Sequence, residues 1–189
     1  MQSSKLKIFI QLIFLVAFVI GAFYLAKVAE SNNEVKMLVG NYGYLGVYTV
    51  SFFSGFNLVV PIPAIALMPL FLESGLNFYA VITLITLGMV TADSIAYLFG
   101  RFGKKILAAT NQNSKILEKI SATRERHKHS PLILMFLFAS FIPLPNEIIL
   151  IPLGILGYKY RDILLVLVSG NLIFNIIYSK GIINLFSIF

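Results

Sequence analysis

Charge along this chain is confined to short intervals, and between them lie uncharged, apolar runs at 8–26, 37–72, 74–92, 130–146, 148–158 and 164–179. A charged side chain at mid-bilayer costs about 2.5–3.5 kcal/mol even on a lenient insertion scale, so runs of this kind read as segments in lipid. Run 8–26 ends in Tyr24-Leu25-Ala26-Lys27. Its length suits a retained first span; a signal peptide has an apolar core of about 7–15 residues and a small-residue cleavage site. Run 37–72 is too long for one crossing of about 20 residues and too short for two crossings with a turn. It must double back.

The reversal is marked by Pro61 and Pro63, with Pro69 and Gly75 after them, because proline lacks the amide donor and clashes with the preceding helical turn. The same pattern returns at Pro143 and Pro145, followed by Pro152, Gly154 and Gly157. Carbonyls freed at such breaks need partners, and at membrane depth broken backbone is tolerated only inside protein or against a water-filled cavity. Both breaks therefore belong within a bundle.

Charge then orients the segments. Between 101 and 130, Arg101, Lys104, Lys105, Lys115, Lys119, Arg124, Arg126 and Lys128 face only Glu118 and Glu125. The positive-inside rule puts this loop in the cytoplasm, with the N-terminus and its Lys5 and Lys7. The first span then leads outward, and a helix over 78–99 must start outside to finish at the loop. By parity 37–72 begins and ends outside, while 130–158 begins and ends inside, where Lys159 and Arg161 follow. The expected fold is an all-α integral membrane bundle with two opposed re-entrant, proline-broken hairpins, an inverted repeat whose tips meet near the midplane. The expected units are an N-terminal span and outer loop (1–36), a membrane domain (37–180) and a C-terminal tail (181–189) that is free to fold back. The cell membrane is the expected location.

Composition agrees: of 189 residues, 58% are hydrophobic and 12% charged, against about 45–50% and about 25% in soluble domains. With no cysteine, disulfides, thiolate metal sites and cysteine nucleophiles are excluded. The formal charge of +7 is accounted for by the basic loop, and no motif points to nucleic acid.

Asp93 and Glu147 are the two acids well inside apolar segments, and an intramembrane acid is a functional candidate by default. Glu147 follows the second break, so it falls at a hairpin tip; low dielectric disfavours a carboxylate's charged form there, which suits proton exchange. The competing reading is an acid neutralised by a structural partner. Asp93 shares a helix face with Tyr97 and Gly100, and pairing with Arg101 or Lys104 would make it structural. Arg101 can take a lipid phosphate in its bidentate fork or simply anchor the helix end. Asn146, Asn171 and Asn175 are amides in apolar surroundings, suited to bonding helices together or to substrate contact. Residues 114–128 have the pattern of an interfacial amphipathic helix. His127 and His129 lie in the loop without a third ligand, so no metal is expected. Neither a Ser–His arrangement, a His-Glu-x-x-His motif nor a phosphate-cradling glycine loop is present, so neither catalysis nor a cofactor is expected.

The stretch Ala92-Asp93-Ser94-Ile95-Ala96-Tyr97-Leu98-Phe99-Gly100-Arg101-Phe102-Gly103 resembles the Gly-Asp-x-x-x-Tyr-x-x-Gly-Arg-x-x-Gly segment of the DedA family, also called VTT-domain or SNARE-associated membrane proteins. A Pro-rich segment before it, a basic loop after it and a second broken segment running from Phe141 to Gly154 agree in order, so the resemblance covers about 46–175. Ala92 stands where that family usually has Gly, and Ala64-Ile65 stands where a small residue and Glu are common. Asn146-Glu147 lies in the other hairpin. The arginines that often flank the family's second hairpin are missing, and where that family's chains commonly end with a further helix this one reads as shortened. The resemblance implies a transporter-like protein that moves phospholipid or polyprenyl-phosphate headgroups between leaflets, with proton coupling as an option. Anionic lipid headgroups would be its partners, Arg101 would gather them, and Glu147 with Asn146 would line the crossing. The alternatives are an ion- or proton-coupled exporter of small cations, using Asp93 and Glu147, and a membrane scaffold. Oligomeric state is not fixed by the sequence.

Overall fold

The structure, a computed structural model, is described over residues 31–56, 63–109 and 129–186, together with Tyr24, Val28, Ala122, Glu125 and Arg126. Run 8–26 apart from Tyr24, Pro61, His127 and most of 110–128 lie outside the described residues. Those described form helices without strands: α1 (Asn33–Ser54), a single 3-10 segment (Ala64–Leu67) leading into α2 (Met68–Glu73), α3 (Phe78–Ala109), α4 (Ser130–Phe141), α5 (Glu147–Leu156) and α6 (Tyr160–Phe186).

The punctuation is local and follows residue type. Pro63 is extended (φ −62°, ψ 127°) and opens the 3-10 segment, while Pro69 sits in the first turn of α2, where its missing N–H costs nothing. Ile142 is extended before Pro143, as the ring of a following proline requires. Both short helices close on a left-handed glycine, Gly75 (φ 82°) and Gly157 (φ 78°). In each the next amide reaches back five residues, Leu76 N–H to the Phe71 carbonyl and Tyr158 N–H to the Leu153 carbonyl, both at 3.2 Å. This is the helix stop that glycine favours. Asn77 Oδ1 accepts from the amides of Tyr79 and Ala80 at 3.0 and 3.2 Å and starts α3.

Two boundaries differ from expectation. Helix α3 does not stop at Phe99 but runs to Ala109, so the start of the basic stretch is helical; Lys104 and Lys105 are good helix formers and need no bilayer around them. Helix α6 starts at Tyr160 and carries the uncharged residues to Phe186, so 181–186 extend the helix. Asp162 lies in its first turn, where a negative charge complements the helix dipole.

Helix α3 is the centre. Alongside it α1 runs parallel: the Asn77 amide donates to Tyr44 Oη, Gly88 abuts Ser51 and Phe52, and Gly55 abuts Met89 and Ala92. On another side α6 runs antiparallel, joining Asn171 to Asp93 and Asn175 to Thr86. In the second half α4 runs parallel to α6, with Gly170 against Ala139 and Tyr178 Oη donating to the Phe141 carbonyl. The short helices cross over: the 3-10 segment and α2 pack on α6, and α5 packs on α3. One core cluster joins Ile65, Met68 and Phe71 to Val81, Ile85, Phe174 and Ile182. The other joins Tyr97, Leu150 and Leu153 to Met135, Ile163 and Leu167. Segments 78–106 and 160–183 are long and apolar enough to cross a membrane.

Candidate functional site

The two crossovers bring the proline breaks together. Pro63 from the first and Pro143, Leu144 and Pro145 from the second line one cavity of about 40 Å³, together with Met89, Ala139, Ile142, Asn146, Asn171 and Phe174. Such a space holds a few water molecules. It has a polar edge and an apolar remainder.

That edge is a buried network. Asp93 (1% exposed) sits mid-way along α3, and its Oδ2 accepts from Asn146 Nδ2 and from Asn171 Nδ2, each at 2.9 Å. Asn146 Nδ2 also reaches Asn171 Oδ1 at 3.3 Å. One carboxyl oxygen thus ties α3 to the tip of the second break and to α6. Buried amides need acceptors, and a carboxyl group can serve two at once. Glu147, buried beside Asn146, opens α5 and brings a second carboxyl group into electrostatic range of Asp93. Its position in the first turn is favourable for an acid. One turn along α6 from Asn171, Asn175 Nδ2 donates to Thr86 Oγ1 at 3.1 Å.

Sequence reasoning offered Arg101 or Lys104 as partners for Asp93. Neither is: Asp93 faces Asn146 beside the second proline break, and the two cations lie further along α3, around the end of α5. Tyr97 Oη, buried, donates to the Tyr158 carbonyl at 2.7 Å. Arg101 Nη1 reaches Tyr97 Oη at 3.2 Å and the same carbonyl at 3.3 Å, and Lys104 Nζ reaches the Leu156 carbonyl at 3.5 Å. Cations suit a helix C-terminus, where carbonyls are left over. Between these polar points Gly100 lies against the backbone of Ile151, and Gly154 against the backbone of Tyr97, Gly100 and Arg101. Small residues are what let two membrane helices approach backbone to backbone. The spacing Asp93, Tyr97, Gly100, Arg101 is therefore one helix face serving three tasks: a polar tie, a clasp on the α5–α6 turn, and a close crossing.

A stability prediction follows from the clasp. Tyr97→Phe removes one buried hydroxyl while Arg101 still reaches the Tyr158 carbonyl, so unfolding free energy falls by about 1 kcal/mol. Thermal melting in detergent checks it; an unchanged midpoint would mean that the hydroxyl contributes nothing net.

Asn171 was visible in the sequence as a helix-bonding amide but not as the partner of Asp93. Tyr158, Tyr160 and Ser94 gave no signal. His129 is exposed ahead of α4, and no cluster of metal-ligating residues occurs among the described residues. The VTT domain family model matches residues 58–182. No curated protein and no solved structure matches the chain.

Proposed function

This chain belongs to the VTT-domain family, the domain of DedA and SNARE-associated membrane proteins, and from that footing we propose that it moves phosphate-bearing lipid headgroups between the leaflets of a bilayer. The observation that carries the reading is the Asp93–Asn146–Asn171 network, set where two proline breaks share a cavity. The family is of a transporter type, and the fold supplies an arrangement suited to transport. Each half has a first arm, a proline break, a short helix closed by glycine, and a long helix, and each short helix packs on the long helix of the other half. We read this as an inverted repeat of re-entrant hairpins, lying in the cell membrane with the basic stretch 101–130 on the cytoplasmic side.

In this reading Arg101, exposed at the cytoplasmic end of α3, gathers anionic headgroups, since one guanidinium nitrogen clasps Tyr158 and the group has further donors to offer. Asp93, Asn146 and Glu147 form the polar centre at the midplane that holds the second hairpin in place. A proton taken up by either acid alters the charge of that centre, giving a coupling ion a point of action. The cavity between the breaks is too small for a headgroup, so transport requires the hairpin to move.

The test is leaflet exchange in vesicles of phosphatidylcholine and phosphatidylglycerol containing the purified protein. Labelled phosphatidylglycerol and labelled polyprenyl phosphate serve as separate probes. Exchange of at least one probe above that in empty vesicles is expected; rates equal to empty vesicles for both, from mildly acid to neutral pH, would end the reading. Glu147→Gln should slow exchange about tenfold or more while leaving folded yield unchanged, and equal rates would leave Glu147 a structural acid.

A further inference from the structure

One face of α3 is left largely uncovered by its neighbours: Thr83, Leu87, Leu98 and Arg101 are exposed and Thr91 and Ser94 half-buried, and helical spacing places them in one strip. In a lipid-facing surface this strip is unusually rich in hydroxyl groups. Thr83, Thr91 and Ser94 each donate to the carbonyl four residues earlier, at 2.8, 2.7 and 2.6 Å, which leaves their oxygens as acceptors. Two tyrosines from different helices converge on them. Tyr160, from the start of α6, donates to Ser94 Oγ at 2.8 Å, and Tyr48 of α1 meets Thr91 Oγ1 at 3.2 Å. The strip is thus bordered by one phenol on each side. From Thr83 to Arg101 it covers about 27 Å at about 1.5 Å per residue, close to the roughly 30 Å of a bilayer's hydrocarbon.

We propose that this strip is the track along which a phosphate-bearing lipid headgroup crosses, with the acyl tails remaining in the surrounding lipid. The proposal rests on the translocation reading above and adds the route. The cavity between the proline breaks has room for water only, and Asp93, Asn146 and Asn171 are buried, whereas the strip already faces lipid. Arg101 and Lys105, both exposed, supply positive charge at one end for a phosphate to engage. Beyond them the hydroxyls of Tyr160, Ser94, Thr91 and Tyr48 exchange their mutual hydrogen bonds for bonds to the headgroup's oxygens. The inner network is then the element that holds or releases the hairpins beside the track.

The experiment uses the same vesicles and both labelled probes. The quadruple variant Tyr48→Phe, Thr91→Val, Ser94→Ala and Tyr160→Phe keeps the shape of the strip and removes its hydroxyls. Exchange should fall about tenfold or more, the effect of losing one to two net hydrogen bonds to the passing headgroup. Leu98→Trp, which places bulk on the strip with every hydroxyl intact, should slow exchange to a similar extent. Leu165→Trp, at an exposed position of α6, should leave it unchanged. Wild-type exchange together with unchanged rates in both strip variants would overturn the route and leave the translocation reading standing. No exchange of either probe by the wild type would overturn both. A quadruple variant that fails to fold leaves the decision to Leu98→Trp.

Discussion

Gly100→Val eliminates folded protein, whereas Gly103→Ala, three residues along the same helix, leaves it intact or slightly more stable. A side-chain carbon at position 100 would run into the carbonyl of Ile151 and stand within 3.0–3.1 Å of its carbonyl carbon and Cα. These are backbone atoms of a neighbouring helix, so no rotamer change relieves the contact. The crossing of α3 and α5 has to open. From the other side, a carbon at Gly154 meets the Tyr97 carbonyl and stands 2.9 Å from the Arg101 nitrogen, so the two glycines form one contact seen from both helices. Overpacking in a core that can adjust costs about 1–3 kcal/mol. Here the adjustment would also draw Tyr97, Leu150 and Leu153 apart and break the clasp on Tyr158, so the loss should exceed that range and consume much of a stability of about 5–15 kcal/mol. At Gly103 nothing lies within 4 Å, and alanine in a helix is favoured over glycine by about 0.5–1 kcal/mol. Monodisperse yield in detergent and the thermal midpoint measure both variants. Equal midpoints for Gly100→Val and Gly103→Ala would show that the crossing separates without cost.

The second large effect concerns Asp93. Asp93→Ala removes the acceptor for two buried amides at once, and neither has another carboxylate oxygen among its hydrogen bonds. Each stranded donor costs about 1–3 kcal/mol in a protein interior, although polar contacts between membrane helices average nearer 0.6 kcal/mol, because amides released in a membrane find other partners. A destabilisation of about 1–3 kcal/mol is the expected balance, along with loss of lipid exchange. The network also predicts non-additivity. Asp93→Ala combined with Asn171→Ala should cost less than the sum of the two single losses, since either single variant already breaks the bond between them and, after Asp93→Ala, the second removes only the remaining Asn146–Asn171 contact, giving a coupling energy of about 1 kcal/mol. Strictly additive losses would mean that the hydrogen bond contributes nothing, whatever its length. Asp93→Asn is the informative companion: its oxygen can accept one amide but its own N–H₂ opposes the other, so it should fall between wild type and alanine.

These two sites differ in how far the sequence revealed them. The stretch from Asp93 to Gly103 was recognisable as a unit, and the family match extends over it. What each residue does within it was not. Arg101 and Lys104 are the nearest opposite charges to Asp93 along the helix, and local spacing ranks nearby residues first. Its partners are Asn146 and Asn171, 53 and 78 residues away, and an amide carries no charge to advertise itself. Gly100 is likewise legible as part of the Asp93 helix face and Gly154 as part of the second proline-broken segment, without any sign that the two face each other. The helix boundaries at Ala109 and Tyr160 were misplaced because charge marks where the bilayer should end, which is not where backbone hydrogen bonding ends.

The sequence by itself determined the class of protein and its punctuation. Long uncharged runs require lipid or a buried core, proline removes an amide wherever it occurs, and the glycines at 75 and 157 permit the left-handed stop that side chains resist. These are properties of single residues and their immediate neighbours, so they can be read along the chain. Only the tertiary structure decided that each short helix packs on the long helix of the other half, that one oxygen of Asp93 serves two amides, and that the hydroxyls of Tyr48 and Tyr160 converge on one face of α3. Such facts depend on which helices approach and at what distance, and that is settled by the summed packing of distant surfaces, which no local pattern encodes.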